Sequence, residues 1–299
     1  MQTWIRNHPL MSFFSLTYFI AYASLFGYIL LNPSQPMAAW TPVWFLNVFS
    51  PTIGAVLVAW LSGGMREVKH LLRGFTIWKV GIRWYVAATF LLLGPLVIAL
   101  IYIALGNPPM GLQPGVTIPI LLGTVFVQLF SGPLSEEAGW RGFALPRLEA
   151  RHTALVSSLI LGVLWTFWHL PLFFLTGAAQ RGIPFPIYLV LITTLTIYLT
   201  WLYNNTHGSL LITTLAHASF NLTGVFITGL VSLMPAMMFY VTVGPLLFLC
   251  ILLIVIGFGP RNFSRKPVTE LPFQREQPQG RLVTVATHDE HPIRNAHRA

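Results

Sequence analysis

The chain has 299 residues, of which 55% are apolar and only 8% charged, with a formal net charge of +9. A soluble globular chain carries about 25% charged residues, so this one cannot cover a water-facing surface of its size. The basic excess does not point to nucleic acid either, because the cations sit in loops between apolar runs.

No Asp, Glu, Lys or Arg lies between Arg83 and Glu136, or between Arg181 and Arg261. About 20 apolar residues cross a bilayer as one helix, so each of these runs holds more than one crossing. Backbone groups in lipid must be satisfied within the segment, which makes the crossings helical. The runs are continuously apolar rather than alternating, which argues against a β-barrel. In chain order, hydropathy predicts about eight spans, at 10–31, 41–62, 84–105, 116–136, 153–176, 185–204, 208–229 and 233–257. The first is too long for a signal peptide, and no small-residue cleavage site follows it. Residues 64–80 mix Arg66, Lys69, His70 and Arg73 with Val68, Leu71, Leu72, Phe75 and Trp78. They read either as a helix lying on the cytosolic interface or as an ordinary basic loop. Cys250, the lone cysteine, reads as a small packed hydrophobe. From Arg261 the chain is polar, basic and interrupted by Pro267, Pro272, Pro278 and Pro292, and is predicted to be disordered. His288, His291 and His297 in that tail read as solvated side chains rather than metal ligands. The predicted organisation is an all-α transmembrane bundle over 1–260 followed by a disordered tail over 261–299, without an internal repeat.

The loops set the orientation. If the spans alternate, Arg181 is the only one of the 17 Lys and Arg residues that falls on its side of the membrane. The positive-inside rule then places both termini in the cytosol, and the expected location is a bacterial cell membrane.

Ionisable residues inside spans cost about 2.5–3.5 kcal/mol each on insertion scales, so their positions are informative. They gather in three places: Ser135-Glu136-Glu137 with Arg141, Trp165-Thr166-Phe167-Trp168-His169, and His217-Ala218-Ser219-Phe220-Asn221. Successive helical residues point about 100° apart, so Glu136 and Glu137 face different ways. Glu137 and Arg141 are four apart, in the favourable order for an ion pair, and read as structural. Glu136 is left without a local partner and must find one on another helix. Ser209, Thr213, His217 and Asn221 form a polar stripe that faces the bundle interior. Ser158, Gly162 and Thr166 allow a neighbour to approach the helix that ends at His169. Gly132-Pro133 would kink or open the fourth span near Glu136.

Two chemical schemes fit these residues. In one, Glu136 is a general base and His169 holds the same water, while His217 and Asn221 donate to the oxyanion that forms at a peptide carbonyl. In the other, a divalent metal such as zinc, held by Glu136, His169 and His217, activates the water. No His-Glu-x-x-His pattern or cysteine cluster supports the metal, and no Gly-x-Ser-x-Gly elbow supports a serine nucleophile.

Glu136-Glu137-x-x-x-Arg141, an aromatic four residues before His169, and His217-x-x-x-Asn221 together resemble the CPBP family of CAAX proteases and bacteriocin-processing enzymes. The run Gly208-Ser209-Leu210-Leu211 is similar too, and the likeness covers about 116–225. It implies an intramembrane endopeptidase that cuts peptides near a membrane, from membrane-associated substrates whose prenylation is left open. It implies a water-activating pair at Glu136 and His169 and an oxyanion pair at His217 and Asn221, with metal dependence open. The phenylalanine usual four residues before the histidine is Trp165 here, which implies a changed pocket. Two other classes remain on the sequence alone. A proton-coupled transporter would also place Glu and His in spans, although the repeat many transporters show is missing. A non-catalytic immunity or partner protein could keep the same fold.

Overall fold

The computed structural model describes residues 2–106, 113–225 and 236–276. Among them there are helices and turns but no strands, so the all-α class is borne out. A short α1 (Gln2–Asn7) leads into α2 (Pro9–Leu31), and α3 (Pro42–Gly63) returns antiparallel beside it. Pro42 opens α3, where its missing N–H costs nothing, and the Thr41 hydroxyl accepts from the Trp44 N–H at 3.3 Å. α4 (Met65–Leu72) follows, then α5 (Ile82–Thr89) and α6 (Gly94–Ala104). Next come α7 (Ile118–Phe130), α8 (Pro133–Glu137) and α9 (Leu145–Glu149), then α10 (Ala154–Trp168) and α11 (Phe185–Asn205). The last are α12 (Leu210–Val225) and α13 (Ala236–Phe258).

The outer surface is apolar: Phe19, Leu30 and Leu31 are 71%, 80% and 83% exposed. Water does not favour such a surface and lipid does, and the protein is an integral membrane protein. Four apolar segments are long enough to cross a bilayer: Pro9–Leu31, Pro42–Gly63, Ile118–Glu149 and Phe185–Asn205. Shorter apolar stretches among the described residues are Ile82–Leu93, Ala154–Trp168, Leu210–Val225 and Leu247–Phe258, the last being the C-terminal part of the 23-residue α13. The expected count of about eight spans is therefore not confirmed among the described residues. The predicted span 84–105 is broken by a 3-10 turn over Phe90–Leu93 before Gly94-Pro95. The predicted span 153–176 stops at Trp168, because Pro171 cannot continue the helix, and a 3-10 turn over Leu170–Phe173 takes over. The 15 residues of α10 reach about 22 Å, short of the roughly 30 Å hydrocarbon core.

Close packing of α10 on α11 follows from small residues. A Cβ on Gly162 would lie 2.7 Å from Thr193 Cα, and the Ser158 hydroxyl donates to Thr200 Oγ1 at 2.8 Å. Residues 65–72 form a short amphipathic helix, with Val68 and Leu71 buried and Arg66 exposed.

The chain after Arg261 does not leave the bundle at once, as the prediction of disorder from that point had it. Ala154 N–H donates to Arg261 O at 2.7 Å, and Phe263, Leu271 and Phe273 are buried. Asn205 Nδ2 donates to Phe263 O at 2.7 Å, and Asn204 Nδ2 to Asn262 O at 2.9 Å. The three apolar side chains supply the burial that the surrounding polar sequence conceals. His288, His291 and His297 lie outside the described residues.

Candidate active site

The segment carrying the two glutamates is built unlike its neighbours. α7 ends at Phe130, the chain turns at Ser131-Gly132, and Pro133 restarts it as α8. α8 runs into a π-helical stretch, Ala138–Ala144, before α9. π turns of this kind concentrate at functional sites. Every residue from Ser135 to Pro146 is buried, so the carboxylates are fixed on an element with no freedom to swing.

Glu137 is fully buried and its Oε1 accepts two bonds, from Arg141 Nη1 at 2.8 Å and from His217 Nδ1 at 2.9 Å. The Arg141 guanidinium, also fully buried, lies 4.2 Å from the centre of the Trp165 ring, a cation–π contact in a dry setting. Glu137 thus holds the fold through Arg141 and also orients His217. A carboxylate can only accept, so His217 Nδ1 carries a proton and Nε2 is the atom free to act elsewhere.

Glu136 is not without a local partner. Trp140, four residues on, donates its indole N–H to Glu136 Oε2 at 3.1 Å, and Trp165 of α10 donates to the same oxygen at 2.6 Å. Helical spacing applied to charged residues alone does not reach either indole. With Oε2 held twice, Oε1 is the oxygen left over. A Cβ built on Gly132 would lie 3.1 Å from Glu136 Oε1, 3.1 Å from Asn221 Nδ2 and 3.6 Å from His217 Nε2. The three polar atoms therefore converge on one point beside the Gly132 backbone, and glycine is what lets them approach it.

His169 ends α10, and its Nδ1 sits 2.8 Å from Trp165 O. A carbonyl accepts, so Nδ1 is the donor and Nε2 of the neutral ring is an acceptor. Glu136, His169, His217 and Asn221 all line one cavity of about 330 Å³, together with Trp165 and Trp168. Ser209, lower on the α12 stripe, serves the backbone instead, its Oγ donating to Ile77 O at 2.6 Å; Thr213 Oγ1 donates to Leu210 O at 3.2 Å and its hydroxyl also lies against the Glu137 carboxylate.

Among the described residues, no group of three His, Cys, Asp or Glu side chains is arranged to hold a metal ion. Glu136, His169 and His217 share the cavity but do not fit a three-ligand site, and the Glu136 oxygen nearest α10 is already taken by two indoles.

Residues 118–223 match the family model described as type II CAAX prenyl endopeptidase Rce1-like. A CAAX prenyl protease 2 of Methanococcus maripaludis is 40% identical over 48 residues, which is 16% of this chain and 18% of that protein. The stretch aligned thus spans less than a fifth of that relative. The matched segment contains Glu136, His169, His217 and Asn221.

Proposed function

We propose that this chain, which matches the type II CAAX prenyl endopeptidase Rce1-like family over residues 118–223, is an intramembrane endopeptidase that uses Glu136 as its base. The observation that carries the reading is the convergence of Glu136 Oε1, His217 Nε2 and Asn221 Nδ2 beside Gly132 in a cavity that also holds His169. Water enters this cavity and is held between Glu136 Oε1 and His169 Nε2. As the water oxygen attacks the peptide carbonyl carbon, its proton passes to Oε1. Negative charge then builds on the carbonyl oxygen, and Asn221 Nδ2 is a donor set to meet it. Donation from His217 Nε2 requires a ring protonated at both nitrogens, with the Nδ1–H donated to Glu137 Oε1. The C–N bond breaks as the proton on Glu136 is delivered to the leaving nitrogen. Trp140 and Trp165 keep Oε2 fixed throughout, so that Oε1 alone turns over.

The substrate class follows from the setting. A cavity in a membrane bundle receives peptides of membrane-associated proteins, and the matched relatives' names add prenylated peptides as candidates. The reading is tested by comparing peptide termini in membranes of cells carrying the wild type and Glu136→Ala. The variant should insert and fold yet yield none of the new termini; wild-type levels of cleavage by Glu136→Ala would overturn the assignment.

A further inference from the structure

One amide on α3 is used neither by the proposed chemistry nor by the fold. Asn47 is 3% exposed and lines the catalytic cavity with Glu136, His169, His217 and Asn221. An asparagine inside a membrane helix ordinarily bonds to a neighbouring helix, because a buried amide without a partner carries a desolvation cost. Among the described residues, the Asn47 carboxamide makes no hydrogen bond. Its nitrogen and oxygen are not sealed within the protein either, and the surface that Asn47 shares is the cavity wall.

The local sequence holds Asn47 in place. Pro51, four residues on, lacks the N–H that would bond to the Asn47 carbonyl. Ser50 supplies the donor instead, its Oγ lying 2.8 Å from Asn47 O, and the same Oγ accepts from the Trp168 indole at 2.9 Å. Trp168 packs edge-on against His169, with ring centres 4.7 Å apart. Towards α8, Thr52 Oγ1 donates to Ser135 O at 2.7 Å, next to Glu136. A Cβ on Gly139 would lie 2.6 Å from Pro51 O, so the π-helical stretch and α3 are in close contact. This turn of α3 is therefore tied to both members of the water-holding pair. The hydroxyls of Ser50 and Thr52 are spent on those ties, and the carboxamide of Asn47 is left over.

A carboxamide presents one acceptor oxygen and two N–H donors. It complements a peptide main chain, which offers one N–H and one C=O per residue and binds chiefly through them when extended. Glu136 and His169 are assigned to the water, and His217 and Asn221 to the carbonyl under attack. None of the four holds the residues on either side of the cut. We infer that Asn47 is a substrate-binding residue whose carboxamide pairs with the main chain of the peptide beside the scissile bond. Resting on the peptidase reading, this role fixes which bond lies over Glu136 without selecting side chains.

The test is a cycle between Asn47 and the peptide backbone. The probe is a synthetic peptide spanning a cut site found by comparing wild-type and Glu136→Ala membranes. Each amide near the cut, other than the scissile one, is replaced in turn by an ester, which removes one N–H and weakens one acceptor. The full chain is assayed in proteoliposomes as wild type and as Asn47→Leu, which keeps nearly the same volume and has no polar side-chain atom. One ester should raise the wild-type KM about threefold to tenfold, the range for a single neutral hydrogen bond, with kcat little changed. Asn47→Leu should show a KM raised to a similar degree on the all-amide peptide, and no further penalty at that ester. A structural asparagine would leave the ester penalties the same in both proteins, and equal penalties overturn the inference. A wild-type KM for Asn47→Leu, or a loss confined to kcat, overturns it too. Asn47→Ala carries the same comparison if Asn47→Leu melts well below wild type. If no terminus depends on Glu136, the peptidase reading falls and this inference falls with it. If termini depend on Glu136 and the penalties coincide, this inference alone falls.

Discussion

Gly132→Ala is the substitution that addresses the geometry of the site most directly. The new methyl would stand 3.1 Å from both Glu136 Oε1 and Asn221 Nδ2, and 3.6 Å from His217 Nε2. The first two distances are a few tenths of an ångström inside comfortable contact, so base and oxyanion donor must both retreat. Gly132 has φ 178, an extended value open to any residue, so the backbone itself does not resist alanine. Overpacking of this kind costs about 1–3 kcal/mol of stability, which a bundle of this size can absorb. The catalytic cost should be larger in proportion, because a misplacement of about 1 Å can cost a hundredfold. A shift of a few tenths at two groups together predicts a loss of roughly tenfold to a hundredfold in kcat. The assay is cleavage of a membrane peptide by purified protein in proteoliposomes, beside a thermal melt of the same sample. A variant that melts within a few degrees of wild type and still cleaves at the full rate would refute the claim that these atoms act together.

The indole donors give a second prediction: Trp165→Phe removes a 2.6 Å bond to Glu136 Oε2 and Trp140→Phe a 3.1 Å bond. Hydrogen bonds to charged groups are worth about 1.5–3 kcal/mol, so kcat should fall about tenfold or more with KM little changed, and further for Trp165→Phe than for Trp140→Phe; equal KM effects without a change in kcat would count against positioning. Arg141→Ala leaves Glu137 buried without its cation and should destabilise by about 3–5 kcal/mol, read as lower folded yield and a lower melting temperature along with lost activity. A melting curve unchanged by Arg141→Ala would show that the ion pair does not hold the fold.

How far the sequence could be read depended on the range of each interaction. Hydropathy found the long helices, because their length and apolarity are local properties. It carried the fifth span past His169, since Leu170, Leu172, Phe173 and Phe174 are as apolar as the helix before them. Pro171 was the signal that should have stopped it there. Helical spacing singled out Glu137 and Arg141, and the same rule applied to aromatic donors would have reached Trp140. Trp165 to Glu136 and His217 to Glu137 cross between helices 29 and 80 residues apart, and no pattern in one sequence encodes such pairs. The returning chain over 261–274 was concealed for a different reason: a polar composition suggested disorder, while three apolar side chains docked it.

The two glutamates differ less in burial than in what surrounds each oxygen. Glu136 is 3% exposed and Glu137 is 0% exposed, so depth does not assign their roles. Glu137 faces a guanidinium and an imidazole N–H, and its bonded oxygen is saturated by them. Glu136 faces two neutral indole N–H groups on one oxygen. Neutral donors fix a carboxylate without cancelling its charge, whereas a cation cancels it. A base needs a fixed position and an oxygen outside a direct ion pair, and Glu136 meets both, because Arg141 and His217 act on it only through space whereas both are bonded to Glu137. The indole of Trp165 therefore adds a second donor to Glu136 and does not merely fill space beside it.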